Sequence, residues 1–383
     1  MHNIPLAYDV LRVIWWLFLG VLLIGFAIMD GFDLGVATLL PFVARSESER
    51  RVAINSIGPV WEGNQVWLIT GGGAIFAAFP PIYAASFSGF YIAMFLVLAT
   101  LILRPVGFDF RNKIKDARWH TFWDYALFAG GFVPSLVFGV AFGNILQGVP
   151  FRIDSDLRVL YEGGGLFELL NPFGILCGLV SVAMLTTHGA VYLTVKADGP
   201  VKERAAAYVR IGALATVALF VLAGIWVAFG IEGYAITGGL TANGPSNPLV
   251  KTVTLARGQW LHNYGVYTWM LLAPALGILG PLLTALVGGK KPGLAFLTSA
   301  VGIFGIISTA GVSMFPFLMP SNIMPAASLT VWDATSSQMT LFVMLLATLI
   351  LLPIVLAYTG YVFRVLRGPV TAKHVEGNSA NLY

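Results

Sequence analysis

The segment that decides the fold is residues 10–33, with the sequence VLRVIWWLFLGVLLIGFAIMDGFD. Only Arg12, Asp30 and Asp33 are charged in it. A helix rises about 1.5 Å per residue, so a run of this length crosses the roughly 30 Å hydrocarbon core of a bilayer. A helix also satisfies its own backbone hydrogen bonds there. The segment therefore predicts a transmembrane α-helix near the start of the chain.

The composition of the whole chain has the same character. Of its 383 residues, 57% are hydrophobic and only 10% are charged. A soluble domain carries about 25% charged residues on its wet surface. The single cysteine, Cys177, excludes an internal disulfide framework and a cluster of thiolate ligands. The net charge of +4 is too small to favour nucleic acid as a partner. We predict an all-α integral membrane protein.

Eight further apolar segments follow the first, which makes nine predicted spans. The second is the least apolar, because Asn55, Glu62, Asn64 and Gln65 interrupt it. A hydropathy window that passes over it returns eight spans. No linker separates domains, so we predict one membrane domain over residues 1–383. The nine spans cover residues 10–33, 53–78, 84–103, 121–143, 166–189, 208–230, 264–287, 293–315 and 340–363.

The distribution of basic residues predicts the orientation of these spans. With nine spans, 17 of the 22 Lys and Arg residues fall on one set of alternate loops. Cytoplasmic loops of membrane proteins carry such an excess of positive charge. We therefore expect the N-terminus on the periplasmic side and the C-terminus, including a tail over residues 364–383, in the cytoplasm.

Two acidic residues stand near the predicted cytoplasmic end of the first span. Asp30 and Asp33 have i,i+3 spacing, which places both on one helix face. Charged side chains inside a membrane are costly and often functional, and two neighbouring carboxyl groups can hold one proton between them. The alternative is that they lie in the headgroup layer, hydrated or paired with arginine.

Glu62 is predicted to lie close to the middle of the membrane in the second span. On a continuous helix, Asn55, Glu62 and Gln65 share one face, because they follow each other at i, i+7 and i+10. A carboxyl group with amide neighbours in apolar surroundings is a candidate for proton exchange. The alternative is a structural glutamic acid that bonds a neighbouring helix.

Other polar residues at span ends favour structural interpretations. Asp124 and Glu168 open the fourth and fifth spans, where acids interact favourably with the helix dipole. Arg104 ends the third span and is expected to reach toward the inner surface or to neutralise Asp33 or Asp124. His188 is the only one of five histidines inside a span, and we expect a structural role for it. This inventory predicts neither a metal site nor a multi-haem centre in the chain itself.

Eight strings, in order along the chain, resemble subunit II of the cytochrome bd-type quinol oxidases. The resemblance runs from about residue 10 to 365, nearly the whole chain, and is specific because the strings occur together. They are Gly31-Phe32-Asp33-Leu34-Gly35, Trp61-Glu62-Gly63-Asn64-Gln65-Val66-Trp67, Phe87-Ser88-Gly89-Phe90-Tyr91, Arg104-Pro105-Val106-Gly107-Phe108-Asp109, Gly139-Val140-Ala141-Phe142-Gly143-Asn144, Gly148-Val149-Pro150-Phe151, Phe315-Pro316-Phe317 and Trp332-Asp333-Ala334-Thr335-Ser336-Ser337-Gln338.

The resemblance implies a bacterial inner-membrane heterodimer that oxidises quinol, reduces dioxygen to water and builds proton motive force without pumping. It implies that subunit I binds two haems b and one haem d, and that a small single-span subunit is a further candidate partner. It implies two four-helix bundles plus one peripheral helix for this chain. A structural quinone inside subunit II is a candidate cofactor.

The resemblance also implies roles for particular residues. The equivalents of Asp30 and Glu62 are proposed to deliver protons from the cytoplasm. The equivalents of Asp33, Arg104 and Asp124 are associated with haem retention or assembly. Two departures from the family pattern concern the proton path. Many relatives have histidine two positions before the membrane carboxylate, where this chain has Val60, and some have aspartate in place of Glu62.

A secondary transporter is the alternative from a different class. It would also have a helical bundle with mid-membrane carboxylates, and broken helices at the midplane. Prolines that could supply such breaks are Pro134, Pro172, Pro274, Pro281 and Pro353. The ordered set of strings favours the oxidase subunit.

Overall fold

The computed structural model describes residues 4–163 and 165–377, and helices dominate it. In chain order the helices are α1 Tyr8–Val43, α2 Glu47–Ile57, α3 Trp61–Ala78, α4 Pro80–Gly89, α5 Tyr91–Leu101, α6 Leu103–Phe110, α7 Ala117–Gln147, α8 Leu166–Leu169, α9 Pro172–Lys196, α10 Gly199–Gly230, α11 His262–Val266, α12 Leu272–Val287, α13 Pro292–Met314, α14 Gln338–Val365 and α15 Ala372–Gly377.

Eight helical segments in the described part of the chain are long and apolar enough to cross a membrane. They are Tyr8–Val43, Tyr91–Phe110, Ala117–Gln147, Pro172–Lys196, Gly199–Gly230, Thr268–Val287, Pro292–Met314 and Gln338–Val365. The predicted all-α membrane fold is thereby confirmed, although several helices extend well beyond the predicted bounds.

The predicted span 53–78 is not one helix. The chain forms α2, breaks at residues 58–60, and starts again as α3. Pro59 lies in this break, and a proline inside a helix removes a hydrogen bond and clashes with the preceding turn. The polar first turn of α3, which contains Glu62 and Asn64, keeps this helix out of the set of eight apolar segments.

Three β-hairpins lie together at one end of the molecule, which we call the hairpin end. The strands are β1 Phe151–Ile153 with β2 Val159–Tyr161, β3 Glu232–Gly238 with β4 Thr252–Arg257, and β5 Phe317–Met319 with β6 Leu329–Thr330, each pair antiparallel. These hairpins occupy the long loops that follow α7, α10 and α13. The opposite end carries α2, and we call it the α2 end.

The long helices form two groups joined at their centre. In the second group, α9 packs on α10, α10 on α12, α12 on α13 and α13 back on α9, so the group closes on itself. In the first group, α1 packs on α3 and α7, and α7 packs on α5. Both α1 and α7 also contact α9, while α14 lies at the edge against α1 and α3. This arrangement agrees with two four-helix bundles plus one helix.

The contact between α1 and α9 is unusually close because both helices place glycine at the crossing. A Cβ atom on Gly35 would lie 2.1 Å from the carbonyl oxygen of Leu185, and one on Gly189 would lie 2.5 Å from the backbone of Gly35. Neither helix tolerates a side chain there, so small residues permit the approach, as is common between membrane helices. This crossing brings α9 against the acidic part of α1.

The tail predicted over residues 364–383 is ordered as far as the structure describes it. After α14, the backbone amide of Val370 donates to the carbonyl of Lys196 over 2.7 Å, and α15 packs on α2. The Lys196 ammonium group donates to the carbonyl of Gly368 over 2.8 Å. Residues 378–383 lie outside the described residues.

Candidate functional site

A buried ion pair lies at the centre of the first helical group. The guanidinium of Arg104 binds both carboxylate oxygens of Asp30, with distances of 2.8 and 3.0 Å, and both side chains are fully buried. Gly130 on α7 admits the arginine, because a Cβ atom there would lie 3.0 Å from Arg104 Cγ. Such a bidentate pair is short, strong and fixed in geometry. Arg104 therefore neither reaches to the surface nor pairs with Asp124, contrary to the sequence-based expectation.

A second acid lies one helical turn away without a cation of its own. Asp33 is fully buried, and its Oδ2 accepts a hydrogen bond of 2.8 Å from the side-chain amide of Asn64 on α3. Its Oδ1 is buried and has no hydrogen-bond partner among the described residues. The alternative in which Asp33 is hydrated in the headgroup layer does not hold, because its side chain is fully buried between helices. The cluster of Asp30, Asp33, Arg104 and Asn64 thus holds two carboxyl groups and one cation, an arrangement that can hold a proton.

The acids lie deeper than the apolar pattern predicted, because α1 does not end near them. The helix continues to Val43, which is ten residues beyond Asp33 and thirteen beyond Asp30. At about 1.5 Å per residue, these positions are roughly 15 and 20 Å from the end of the helix. Both acids therefore belong to the interior of the bundle.

Glu62 lies on the opposite side of α3 from the buried cluster. It is in the first turn of α3 and is exposed on the surface of the chain, while Asn64, two residues on, is buried against Asp33. Because Asn64 donates to Asp33, Glu62 lies level with Asp33 along the helical bundle, roughly 15 Å from the end of α1, but on the bundle surface.

The predicted face of Asn55, Glu62 and Gln65 does not exist, because the chain breaks between α2 and α3. Asn55 is buried on α2, where its amide donates to the carbonyl of Arg51 over 2.8 Å. Gln65 is half-buried on α3. The two amides therefore do not line one helix face with Glu62, and the sequence missed the break because periodicity extends a helix through any short irregularity.

Asp124 lies in an ion network at the α2 end. It does not open its helix, since α7 begins at Ala117. Its carboxylate lies 2.8 Å from Arg50 and 2.7 Å from Arg111, and Arg111 also binds Glu47 over 2.7 Å. Burial opposes ionisation of Glu47, but the hydrogen bonds and charge of Arg111 outweigh it and lower the pKa of Glu47. The network ties α2 to the start of α7.

His188 occupies the interior between α1, α9 and α13. Its Nδ1 lies 2.7 Å from the hydroxyl of Ser299, its Nε2 donates to the carbonyl of Ile28 over 3.0 Å, and its ring stacks on Phe296. Both ring nitrogens are engaged by protein groups, so this side chain does not fit the role of an axial haem ligand. The finding agrees with a structural histidine.

Sequence reasoning missed Asn64 as a functional candidate. The signal was available, because an amide in an apolar span is costly unless it has a partner. The sequence did not show which way the Asn64 side chain points. In the structure, Asn64 and Glu62 lie on opposite sides of one turn of α3. Arg50 and Arg111 were likewise counted only as loop charges. Glu168 lies in the short helix α8, before α9 begins at Pro172, so it does not open the long helix of the fifth predicted span.

Comparison with known proteins assigns the chain to a family. The family model described as "Cytochrome bd terminal oxidase subunit II" matches residues 11–366. The chain is 53% identical to cytochrome bd-I ubiquinol oxidase subunit 2 of Escherichia coli, over 98% of this chain and 99% of that protein. It is 33% identical to cytochrome bd ubiquinol oxidase subunit 2 of Bacillus subtilis, over 92% and 96% of the two chains.

A solved structure shares the fold. The bd oxidase from Geobacillus thermodenitrificans has a chain that matches with a TM-score of 0.69 at 18% identity, covering 93% of this chain and 98% of that one. The family model and the relatives agree over nearly the full length, so the transporter alternative is set aside. The chain belongs to the cytochrome bd terminal oxidase subunit II family and is a multi-pass inner-membrane subunit of a haem-containing quinol oxidase that also has a subunit I.

Proposed function

We propose that this chain is the non-haem subunit of its oxidase, which supports a subunit I that carries two haems b and haem d, and that it helps deliver protons from the cytoplasm. The engagement of both nitrogens of His188 supports the placement of the haems in subunit I. The haems supply the electron transfer and the reduction of dioxygen when bound there. The residues of this chain would act on protons and on the position of the partner.

One observation carries the proton-delivery proposal. The first turn of α3 places Asn64 on the buried acid cluster and Glu62 on the surface of the chain. A carboxylate exposed to lipid at this depth would cost about 2.5–3.5 kcal/mol. Cover by subunit I removes that contact with lipid, so Glu62 would stand between the buried acids of this subunit and the interior of the partner. Dioxygen reduction consumes protons, and titratable groups at intervals are what a proton needs to cross apolar packing.

The test is Glu62→Gln in the purified complex, which keeps shape and hydrogen bonding but cannot carry a proton. We expect normal haem spectra, and oxygen uptake with quinol that is slower by at least about tenfold, since proton-transfer groups typically contribute 10²–10⁴-fold. Glu162→Gln is the matched control, because that carboxylate lies at the hairpin end, where it pairs with Arg152. A haem-loaded Glu62→Gln complex that turns over at the normal rate would refute the proposal.

The distribution of basic residues also favours one orientation of the chain in the membrane. We propose that the α2 end faces the cytoplasm and the hairpin end the periplasm, because the basic loops lie at the α2 end. A reporter fused after Arg45 should then give a cytoplasmic signal, and a periplasmic signal there would contradict it.

The remaining partners are quinol, dioxygen and membrane lipid, with a small single-span subunit as a further candidate. A polar cavity of about 320 Å³ opens at the hairpin end. Its lining includes Asn144, Gln147, Asn171, Glu162 and Glu168. Amides and carboxylates suit an isoprenoid quinone poorly, because ligand pockets for such molecules are mostly apolar. We therefore place no structural quinone in this cavity.

A further inference from the structure

The two acids of α1 differ in how their oxygens are used. Both oxygens of Asp30 are held by the guanidinium of Arg104, so this carboxylate is fully compensated in charge and in hydrogen bonding. Asp33 has one oxygen bound by a neutral amide, and its other oxygen has no hydrogen-bond partner in the part of the chain that the structure describes. A proton on Asp30 would have to displace a bidentate ion pair, whereas a proton on Asp33 Oδ1 displaces nothing.

We infer that Asp33 is the acid of α1 that takes up and releases the proton, that Asn64 is its positioning residue, and that Asp30 is the fixed counter-ion of Arg104. This inference rests on the proposed role of the chain in proton delivery. It reverses the roles that the family resemblance implies for the two aspartates. In the step itself, a hydronium ion from the cytoplasmic side gives a proton to Asp33 Oδ1 and becomes water; the new O–H bond later breaks as the proton passes to water on the way to Glu62, and no electron moves.

The surroundings of Asp33 favour a single mobile proton. The charged groups that act on Asp33 are Asp30 on α1 and Arg104 on α6, and Tyr192 on α9 also lies within reach of its charge. The Tyr192 hydroxyl is committed to the carbonyl of Ser56 over 2.9 Å. With Arg104 bound to Asp30, the extra charge of an ionised Asp33 has no cation of its own. Burial of such an unpaired charge is costly, so binding of a proton to the Asp33 carboxylate is favoured.

Asn64 connects Asp33 to α3. Its amide donates to Asp33 Oδ2, so it fixes the orientation of the carboxyl group and leaves Oδ1 as the exchanging atom. It also stands two residues from Glu62, so one helical turn carries both the positioning amide and the surface carboxyl group. Removal of the amide would leave Asp33 in place but free its orientation.

The experiment compares single variants in the purified two-subunit complex, with haem content and oxygen uptake per haem as separate readouts. We expect Asp33→Asn to retain its haems and to lose at least about tenfold in turnover per haem, with recovery in Asp33→Glu. Asn64→Leu should retain haem and show a smaller loss. Asp30→Asn should lose haem instead, because it leaves the Arg104 cation buried and unpaired. Asp30→Asn combined with Arg104→Gln should recover haem.

The outcomes separate this inference from the proposed function. If Asp33→Asn loses its haems, the role in haem retention implied by the resemblance is right and the inference is wrong. If Asp33→Asn is haem-loaded and turns over at the normal rate while Glu62→Gln is slow, proton delivery stands and only the assignment to Asp33 is refuted. If both variants turn over normally, proton delivery through this chain fails as a whole.

Discussion

Two buried ion pairs in this molecule have nearly the same geometry and very different surroundings. Arg104 and Asp30 lie 2.8 Å apart in the helical interior, and Lys251 and Asp333 lie 2.7 Å apart at the hairpin end. All four side chains are fully buried. The first pair has a second carboxyl group beside it, that of Asp33, whereas the second pair consists of one acid and one base.

The two pairs differ in charge balance, and this difference indicates a different role for each. A balanced buried pair holds segments together, and apolar residues of similar volume can often replace it without loss. An unbalanced cluster has a surplus carboxyl group that apolar packing cannot replace if a proton must bind there. The helical cluster therefore points to chemistry, and the pair at the hairpin end points to structure.

The largest expected effect is that of Arg104→Gln. The variant leaves the carboxyl groups of Asp30 and Asp33 buried together without a cation, and removal of one partner of a buried pair costs about 3–5 kcal/mol. We expect little intact haem-loaded complex after purification in mild detergent. A stable Arg104→Gln complex with full haem content would show that the charge of Arg104 is not needed to keep Asp30 and Asp33 buried together.

The second prediction concerns the pair at the hairpin end. Asp333→Ala alone should destabilise the protein by about 3–5 kcal/mol, because Lys251 stays buried without its partner. Lys251→Met combined with Asp333→Leu should be close to the wild type or more stable, by the same principle. Thermal unfolding in detergent measures both. A double variant as unstable as the single one would remove the contrast between the two pairs.

The pKa shifts of this second pair support the prediction. Burial raises the pKa of Asp333 and lowers the pKa of Lys251. An acid with a raised pKa contributes stability below its unfolded pKa of about 3.9 and loses that contribution as the pH rises. A lysine with a lowered pKa contributes stability above about 10.4 and loses it as the pH falls. At a pH above the raised pKa of Asp333 and below the lowered pKa of Lys251, both groups are held charged at a cost, which the apolar double variant would avoid.

A third and smaller effect is expected for Arg12→Lys. The fully buried Arg12 donates to the Thr335 hydroxyl over 2.9 Å and to the carbonyls of Ala242 and Gly244 over 2.5 and 3.0 Å, and it covers the Tyr8 ring at 3.6 Å. A lysine ammonium group cannot donate to these three acceptors in the planar geometry of the arginine guanidinium. We expect a loss of about 1–3 kcal/mol from acceptors left unpaired, visible as a lower midpoint in thermal unfolding with haem spectra intact. An unchanged midpoint would mean that the N-terminal turn is not anchored by this side chain.

The smallest effect is that of Glu49→Gln at the α2 end. Hydrogen bonds and charge from Arg204 lower the pKa of Glu49 to about 2. Because the folded pKa is depressed, the stabilisation is present above the unfolded value of about 4.3 and is lost as the pH falls toward 2. Glutamine can still cap α2 through its side-chain oxygen. The variant should therefore be slightly less stable than the wild type at neutral pH, and the gap should narrow in acid. A gap that widens in acid would contradict the assignment.

The helical content could be predicted from the sequence because apolar length is a local property. The predicted segments for α7, α10, α13 and α14 all correspond to long helices, with ends that agree within two residues for α13 and α14 and less closely for α7 and for the start of α10. The ends were missed where polar residues continue a helix beyond its apolar part, as in α1 after Asp33. Two of the hairpins were missed because their strands have only two or three residues, and the longer hairpin of β3 and β4 was missed because it lies in a loop of mixed polarity.

The candidate site could be predicted only in part. Asp30, Asp33, Glu62 and Arg104 were singled out as costly residues in apolar surroundings, and the structure brings three of them into one cluster. The partner of each was not predictable, because Arg104 is 74 positions from Asp30 in the sequence and could have met Asp33 or Asp124 equally well.

The local pattern of apolar and charged residues is enough to show that the chain is a helical membrane protein and that a few acids and Arg104 lie where charge is costly. Helix packing sets which of these side chains meet. Asp30 pairs with Arg104, Asp33 accepts from Asn64 and keeps one oxygen unpaired among the described residues, and Glu62 faces the surface. Pairing depends on the distance and direction of side chains from different helices, and these are set by helix packing and by the break between α2 and α3.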